Sequence, residues 1–146
     1  MAAARTLTGA IIGAFLAVAP ASASDPAGTW LTQGGEAQIR LANCGGALCG
    51  TILALREPND PETGKPKTDK RNENASQRAR PLIGVQVLLG LRPSATPDKW
   101  EGSVYNADDG KTYTGFVTLT SPTSLRLQGC VLGGLICKAQ TWSRVN

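Results

Sequence analysis

Apolar and polar residues alternate along most of the chain after residue 27. In residues 36–41, for example, Ala37, Ile39 and Leu41 occupy every second position and the residues between them are polar. Because successive side chains of a strand point to opposite faces, this alternation predicts strands that are buried on one side. The predicted strands cover residues 28–33, 36–42, 49–56, 82–91, 99–105, 112–120, 124–130 and 136–145.

Most of the predicted strands are joined by short turns. Asp108-Asp109-Gly110-Lys111 contains the Asp-Gly pair that favours a tight hairpin, and Pro122-Thr123 makes another close connection. No apolar pattern with a helical period is longer than two turns. Eight antiparallel strands with short connections predict an all-β fold, an eight-stranded antiparallel up-and-down barrel that leaves no strand edge open.

One connection departs from this scheme. Residues 57–80 are polar and rich in Pro, Asn and charge, and Asn74 is placed to cap one helical turn over residues 75–79. Loops of this length in compact domains are either functional, often as a lid, or simply mobile. The strand that follows is apolar on both faces. This predicts that it is covered either by the loop or by a second copy, in a homodimer through residues 82–91.

The beginning of the chain predicts export. Arg5 precedes an apolar run over residues 7–19, and Ala21-Ser22-Ala23 fits a cleavage site. Residues 1–23 are therefore interpreted as a signal peptide that is cut after Ala23. The run is shorter than the roughly 20 residues needed to span a membrane, so no membrane span is expected. We expect residues 24–146 to form a single barrel domain in the periplasm or secreted to the medium.

Four cysteines lie beyond the predicted cleavage site, namely Cys44, Cys49, Cys130 and Cys137. An even number in an exported chain predicts disulfide bonds. Each successive pair brackets a Gly-rich turn between two strands, so the expected bonds are Cys44–Cys49 and Cys130–Cys137. The spacings are longer than those typical of zinc ligands, and no metal site is expected.

Charge and composition exclude several classes of function. Without Arg5 the chain has 14 Lys and Arg against 11 Asp and Glu, a net charge of +3. The basic residues cluster at 65–80, where there is no aromatic residue, which disfavours nucleic-acid binding. The chain contains no histidine, which removes the commonest general base and metal ligand. We therefore expect no enzymatic activity and no cofactor.

The carboxylates do not form a recognisable catalytic pair. Asp60, Glu62 and Asp69 lack the spacing of a calcium loop and are interpreted as solvated charges of the long loop. Asp108 and Asp109 are interpreted as turn formers.

Three residues are placed to close one end of the barrel. Trp30 lies on the first strand in Gly28-Thr29-Trp30, and Arg144 follows Trp142 on the last strand. An arginine over a tryptophan ring is held by cation–π attraction. This arrangement is typical of lipocalin-like barrels, so Trp30, Trp142 and Arg144 are predicted to be barrel-closing structural residues.

The chain after residue 27 resembles an uncharacterised family of exported bacterial proteins, catalogued as domain of unknown function 2147. Besides the Gly-x-Trp of the first strand, the motifs that carry the resemblance are Cys44-Gly45-Gly46-Ala47-Leu48-Cys49-Gly50, Gly64-Lys65-Pro66, Asp69, Asn72, Arg80-Pro81-Leu82-Ile83-Gly84, Trp100-Glu101-Gly102-Ser103-Val104-Tyr105, Asp109-Gly110-Lys111-Thr112-Tyr113 and Thr141-Trp142-Ser143-Arg144. The resemblance implies a lipocalin-like (calycin) barrel and no established activity.

A barrel of eight strands can hold one small ligand where side chains do not fill it. Apolar lining is expected from Ile39, Leu41, Val85, Val87, Val104, Val117 and Leu125, with space left by Gly84, Gly102 and Gly115. The candidate ligand-binding residues are Tyr105, Tyr113, Lys138, Gln140 and Val117. The sequence thus favours an exported, non-enzymatic binding protein for a small apolar or amphipathic ligand. The alternative is a structural or protein-interaction module of the cell envelope, with a filled barrel and no ligand.

Overall fold

A computed structural model of the protein describes residue 3, residues 9–17 and residues 25–146. The predicted cleavage site after Ala23 and most of the predicted signal peptide lie outside these residues. Residues 9–17 adopt no regular structure, and their large apolar side chains are exposed. In the described ranges no helix has both the length and the apolar character needed to cross a membrane.

Eight antiparallel strands close into a barrel in which each strand pairs with its neighbours in chain order. The strands are β1 (Gly28–Leu31), β2 (Ala37–Asn43), β3 (Leu48–Leu55), β4 (Gln86–Pro93), β5 (Lys99–Asn106), β6 (Lys111–Ser121), β7 (Ser124–Val131) and β8 (Ile136–Arg144). Two short 3-10 helices, Ala75–Gln77 and Leu132–Gly134, lie in the connections. The predicted all-β up-and-down barrel is confirmed.

The predicted start of the fourth strand is wrong. Residues 82–85 form a turn, closed by a hydrogen bond from the Val85 N–H to the Leu82 carbonyl. Gly84 adopts a φ of +98° in this turn. The turn is attached to β3 because the Ile52 carbonyl accepts from Gly84 and the Ile52 N–H donates to Val85. The ladder with β3 therefore begins only at Gln86.

The turn before β4 and the bulges within β4 explain why residues 82–91 do not alternate. Across β3, Gly50 pairs with Leu88 and Thr51 with Gln86, which leaves one extra residue in β4. Across β5, the ladder shifts again between Leu89 and Arg92. Bulges bend a strand and change which side chains point inward. The loss of alternation is therefore explained without a second copy of the chain. Dimerisation through residues 82–91 stays a prediction.

The core fills one end of the barrel, here called the closed end. Leu41, Leu91, Val117 and Leu125 are fully buried there together with Trp30. The chain termini of the barrel and the β2–β3, β4–β5 and β6–β7 turns lie at this end, as the strand order requires.

Arg144 ties the closed end together. Its guanidinium carbon lies 4.4 Å from the centroid of the Trp30 ring. Its three nitrogens donate to three backbone carbonyls on two other segments, with Nε to Pro122 at 2.7 Å, Nη1 to Ala27 at 2.6 Å and Nη2 to Asp25 at 2.7 Å. The one side chain thus links β8, the β6–β7 turn and the segment before β1.

The two predicted disulfide bonds are confirmed, and they fasten hairpins at opposite ends of the barrel. Cys44–Cys49 closes the β2–β3 hairpin at the closed end. Cys130–Cys137 closes the β7–β8 hairpin at the other end, here called the open end. All four cysteines are used.

The seam between β1 and β8 is the shortest pairing in the barrel. It contains two register pairs, Trp30 with Arg144 and Leu31 with Ser143. Beyond these two pairs, a side chain takes the place of a backbone acceptor: Gln33 Oε1 accepts from the Thr141 N–H at 2.9 Å.

Candidate functional site

The open end of the barrel contains a cavity of about 410 Å³. Its lower wall is apolar and is made by inward side chains of six strands. These residues are Ile39, Ile52, Leu88, Val104, Leu127 and Trp142. The cavity lies above the filled core, so the barrel is neither empty nor completely packed.

The rim of this cavity is polar and carries both signs of charge. Glu36, Arg56, Glu57, Lys67 and Asp108 all line it. They come from the loops after β1, β3 and β5, which meet at the open end. A molecule in this cavity would place an apolar part against the lower wall and a polar part at the rim.

A second cavity of about 220 Å³ adjoins the first. The two share Val104, Asn106, Leu127 and Gln140 as lining residues. The remaining residues of the second cavity are Asp109, Tyr113, Gly129, Val131, Ile136 and Lys138. Its outer part is therefore built by the β7–β8 hairpin that the Cys130–Cys137 bond fastens.

Four of the five candidate ligand-binding residues line these cavities, three of them in the second cavity. Tyr113, Lys138 and Gln140 line the second cavity, and Gln140 also lines the first. The Gln140 Oε1 accepts from the Trp142 indole N–H at 3.0 Å. The Tyr113 hydroxyl donates to Asp109. This hydrogen bond raises the pKa of Tyr113.

The other two candidates are placed differently. Val117 is fully buried in the core, pairs with Trp100 across β5 and β6, and lines neither cavity. Tyr105 borders the larger cavity, but it alternates with the inward Val104 and so leans toward the outside of the barrel. Its hydroxyl is already engaged, because it donates to Asp69.

A buried carboxylate holds the long loop against β5. Asp69 is fully buried and accepts from the Tyr105 hydroxyl at 2.6 Å and from the Asn72 amide at 2.9 Å. Arg80 Nε and Nη2 both donate to the same carboxylate at 2.9 Å. The interpretation of Asp69 as a solvated loop charge is wrong, because residues 57–80 fold around it.

This network shifts two pKa values. Burial alone would raise the pKa of Asp69, but the hydrogen bonds from Tyr105, Asn72 and Arg80 lower it below its ordinary value. Burial, followed by the hydrogen bond to Asp69, raises the pKa of Tyr105 to about 12. The carboxylate and the phenol therefore keep their ordinary charge states over a wide pH range.

The rest of the loop is ordered by short-range contacts. Isolated β-bridges join Asn59 to Pro66 and Thr68 to Pro81. Asn74 caps the 3-10 helix through the Ser76 N–H, as its position in the sequence predicts. The loop also packs against the β5–β6 turn, because a Cβ at Gly110 would collide with a carbonyl oxygen of the loop.

The glycines predicted to leave interior space do not do so. A Cβ at Gly102 would lie 2.9 Å from the Gly90 carbonyl oxygen, and one at Gly115 would collide with Val104. Gly84 lies in the turn before β4 rather than in the barrel wall. The interior space lies instead at the open end, where Lys138 and Gln140 of β8 are exposed and line the second cavity.

The polar groups of the site can form hydrogen bonds and ion pairs with a bound molecule. The polar side chains at the cavities are amides, carboxylates, cations, the phenols of Tyr105 and Tyr113 and the hydroxyl of Thr32. In the part of the chain that is described, no group of three or more Cys, Asp or Glu residues is arranged to hold a metal ion.

Comparison with known proteins supports the fold. A family model described as an uncharacterized protein conserved in bacteria (DUF2147) matches residues 28–144. A solved structure from Helicobacter pylori, of a protein described as belonging to the lipocalin family, is similar with a TM-score of 0.69 and 26% identity. The similarity covers 84% of each chain. No curated protein matches the chain.

Proposed function

Because the chain belongs to the DUF2147 family of bacterial proteins and folds as a lipocalin-like barrel, we propose that it is an exported, non-enzymatic binding protein. Its ligand is a small amphipathic molecule with an apolar body and a polar end. The observation that carries this proposal is the cavity of about 410 Å³ with an apolar lower wall and a charged rim.

The size and lining of the cavity support binding of one small molecule. Ligand pockets typically measure about 300–1,000 Å³ and combine apolar walls with a few polar groups. The apolar part of the ligand would lie between Leu127 and Trp142, and the polar part would meet the rim. Gln140, Tyr113 and Lys138 extend this polar surface into the adjoining cavity.

Export is supported by the two disulfide bonds, which persist in oxidising compartments. The predicted signal peptide supports the same conclusion. We place the protein in the periplasm or the medium.

A non-enzymatic role is supported by the side chains available. The chain has no histidine. The most strongly held carboxylate, that of Asp69, has its oxygens occupied by Tyr105, Asn72 and Arg80 and holds the loop.

The direct test is native mass spectrometry of the protein purified from the periplasm or medium of its own host. Organic extraction then identifies any bound molecule. The expected result is a stoichiometric adduct with an apolar chain or ring and a polar end. A protein that carries nothing after gentle purification would contradict the proposal and favour the structural or protein-interaction module. The same spectrum reports whether the protein is a monomer or a homodimer.

A matched pair of variants tests where the ligand lies. Gly129 lines the second cavity, and a Cβ there would meet Tyr113 at an ordinary distance of 3.7 Å. Gly129→Phe should therefore fill the second cavity without displacing the strand and should lower the occupancy of the adduct, because the two cavities share Leu127 and Gln140. Gln128→Phe adds the same ring to the opposite face of β7 and should retain it. Equal loss in both variants would argue against binding in the barrel.

A further inference from the structure

The tip of the β7–β8 hairpin exposes four neighbouring apolar side chains at the open end. Val131 is 39% exposed, Leu132 71%, Leu135 82% and Ile136 54%. The other large apolar residues exposed on the barrel, Leu53, Ile83 and Val145, are well separated along the chain. Contiguous apolar patches on a protein surface mark interaction sites more often than single residues do.

The backbone fixes this tip in its exposed form. Leu132 adopts a φ of +54°, in the left-handed region that branched side chains disfavour, and the next two glycines also have positive φ values. Such strain persists where the surrounding structure determines it and is concentrated at functional sites. Here the Cys130–Cys137 bond and the Val131–Ile136 pair fasten the base of the tip.

The tip is continuous with the cavities. Val131 and Ile136 line the second cavity and are partly exposed. Leu132 and Leu135 extend beyond them at the end of the hairpin. The apolar surface therefore runs from the interior of the barrel to its outermost point without a charged residue between positions 127 and 137.

Shape and area favour a lipid surface over a protein partner. The four side chains form a projecting tip whose exposed area is on the order of 400 Å², whereas a stable protein interface needs about 800 Å² from each partner. A projecting apolar tip needs no complementary surface in order to enter the boundary between lipid headgroups and acyl chains. Lys138, at the base of the tip, is exposed and forms no ion pair within the described residues, so it is free to meet a phosphate.

We infer that the Val131–Ile136 tip is a membrane-docking element that inserts its apolar side chains into the surface of a phospholipid bilayer. Docking sets the open end of the barrel against the lipid. This inference goes beyond the proposed function and holds whether or not the cavity carries a ligand, since the tip itself makes the contact.

The test is flotation of the purified protein with vesicles of phosphatidylethanolamine and phosphatidylglycerol, without added ligand. The tip variant Leu132→Ser with Leu135→Ser changes no charge and should lower the partition coefficient at least tenfold. The control Leu53→Ser with Val145→Ser removes two exposed apolar side chains elsewhere and should bind as the unmodified protein does. Lys138→Gln should weaken binding roughly fivefold at low salt.

Several results would overturn the inference. The first is that the unmodified protein does not float with the vesicles. The second is that the tip variant floats as well as the unmodified protein. The third is that high salt abolishes binding while the tip substitutions leave it unchanged. A dimer in light scattering that the tip variant dissociates would show that a second copy covers the tip instead. Because the residues tested are exposed, circular dichroism should show an unchanged fold in every variant.

Discussion

Replacing Asp69 by Asn tests whether the buried network holds the long loop to the barrel. The substitution preserves the shape of the side chain but removes its charge and one acceptor oxygen. In the protein this carboxylate receives hydrogen bonds from Tyr105, from Asn72 and twice from Arg80, at 2.6 to 2.9 Å. In the variant, the NH2 group of the new amide would face a donor that the carboxylate oxygen had accepted from. The Arg80 guanidinium would lose its counter-ion.

The expected loss in the free energy of unfolding is about 3 kcal/mol. Breaking one partner of a buried ion pair costs about 3–5 kcal/mol. We take the lower end because the Arg80 side chain is 38% exposed and water can hydrate its guanidinium. For a domain of about 120 residues, 1 kcal/mol corresponds to about 4 °C in melting temperature. Asp69→Asn should therefore lower the melting temperature by about 12 °C.

The assay is thermal unfolding followed by circular dichroism, with hydrogen exchange over residues 57–80 to localise the effect. Asp60→Asn is the matched control, because Asp60 lies in the same loop and its ion pair with Lys70, at 3.8 Å, is solvent-accessible. That variant should change stability little. If Asp69→Asn is no more destabilising than the control, the network does not hold the loop.

The same variant has a pH signature. The folded-state pKa of Asp69 is lowered, so its contribution is fully present above the ordinary value of 3.8 and is lost as the pH falls through the folded-state pKa. The difference in stability between the unmodified protein and Asp69→Asn should therefore shrink below about pH 4. A difference that stays constant down to pH 2 would mean that the carboxylate is not the source of the effect.

Three further predictions concern other parts of the barrel. Arg144→Ala removes the cation–π contact and three hydrogen bonds at the closed end and should lower the free energy of unfolding by about 2 kcal/mol in urea titrations; Arg126→Ala, on the exposed face of β7, should be nearly neutral. Gly110→Ala should destabilise the protein more than Gly134→Ala, because both glycines have positive φ but only the first is crowded by the loop; equal melting temperatures would contradict this packing. The pKa of Tyr105 is raised from 10.0 to about 12 in the folded protein, so its contribution to stability is lost as the pH rises from 10.0 to about 12. Tyr105→Phe should therefore remove this part of the alkaline loss of stability in denaturant titrations. If the variant and the unmodified protein lose the same stability over this pH range, the assignment is wrong.

The strands were predictable because alternation records which side of a strand is buried. The bounds of β1, β2 and β6, for example, differ from the prediction by two residues or fewer. The fourth strand was mispredicted because bulges break its period of two. The residues predicted as its beginning form a turn, in which apolar side chains need not alternate. Register shifts depend on the neighbouring strands, and a single segment does not reveal them.

The candidate site was only partly predictable for a related reason. Alternation indicates that Val117 and Gln140 both face inward, but it does not give their depth along the barrel axis. Depth decides whether an inward side chain joins the core, as Val117 does, or lines the cavity, as Gln140 does. Asp69 was misinterpreted as a solvated charge because the phenol that binds it is 36 residues further along the chain. Its place among the family motifs, with Asn72 and Arg80, was the available signal.

The short seam between β1 and β8 sets the order in which this barrel can be assembled. Seven of the eight strand pairings join consecutive segments, so each forms with a modest loss of chain entropy. The eighth joins Trp30 to Arg144 across almost the whole domain, with two register pairs and the Gln33 side chain. During synthesis the first strand therefore stays an open edge until the last strand is available. The finished barrel should also open first at the β1–β8 seam. Loss of β8, the last nine residues of the sheet, would expose the edges of both β1 and β7.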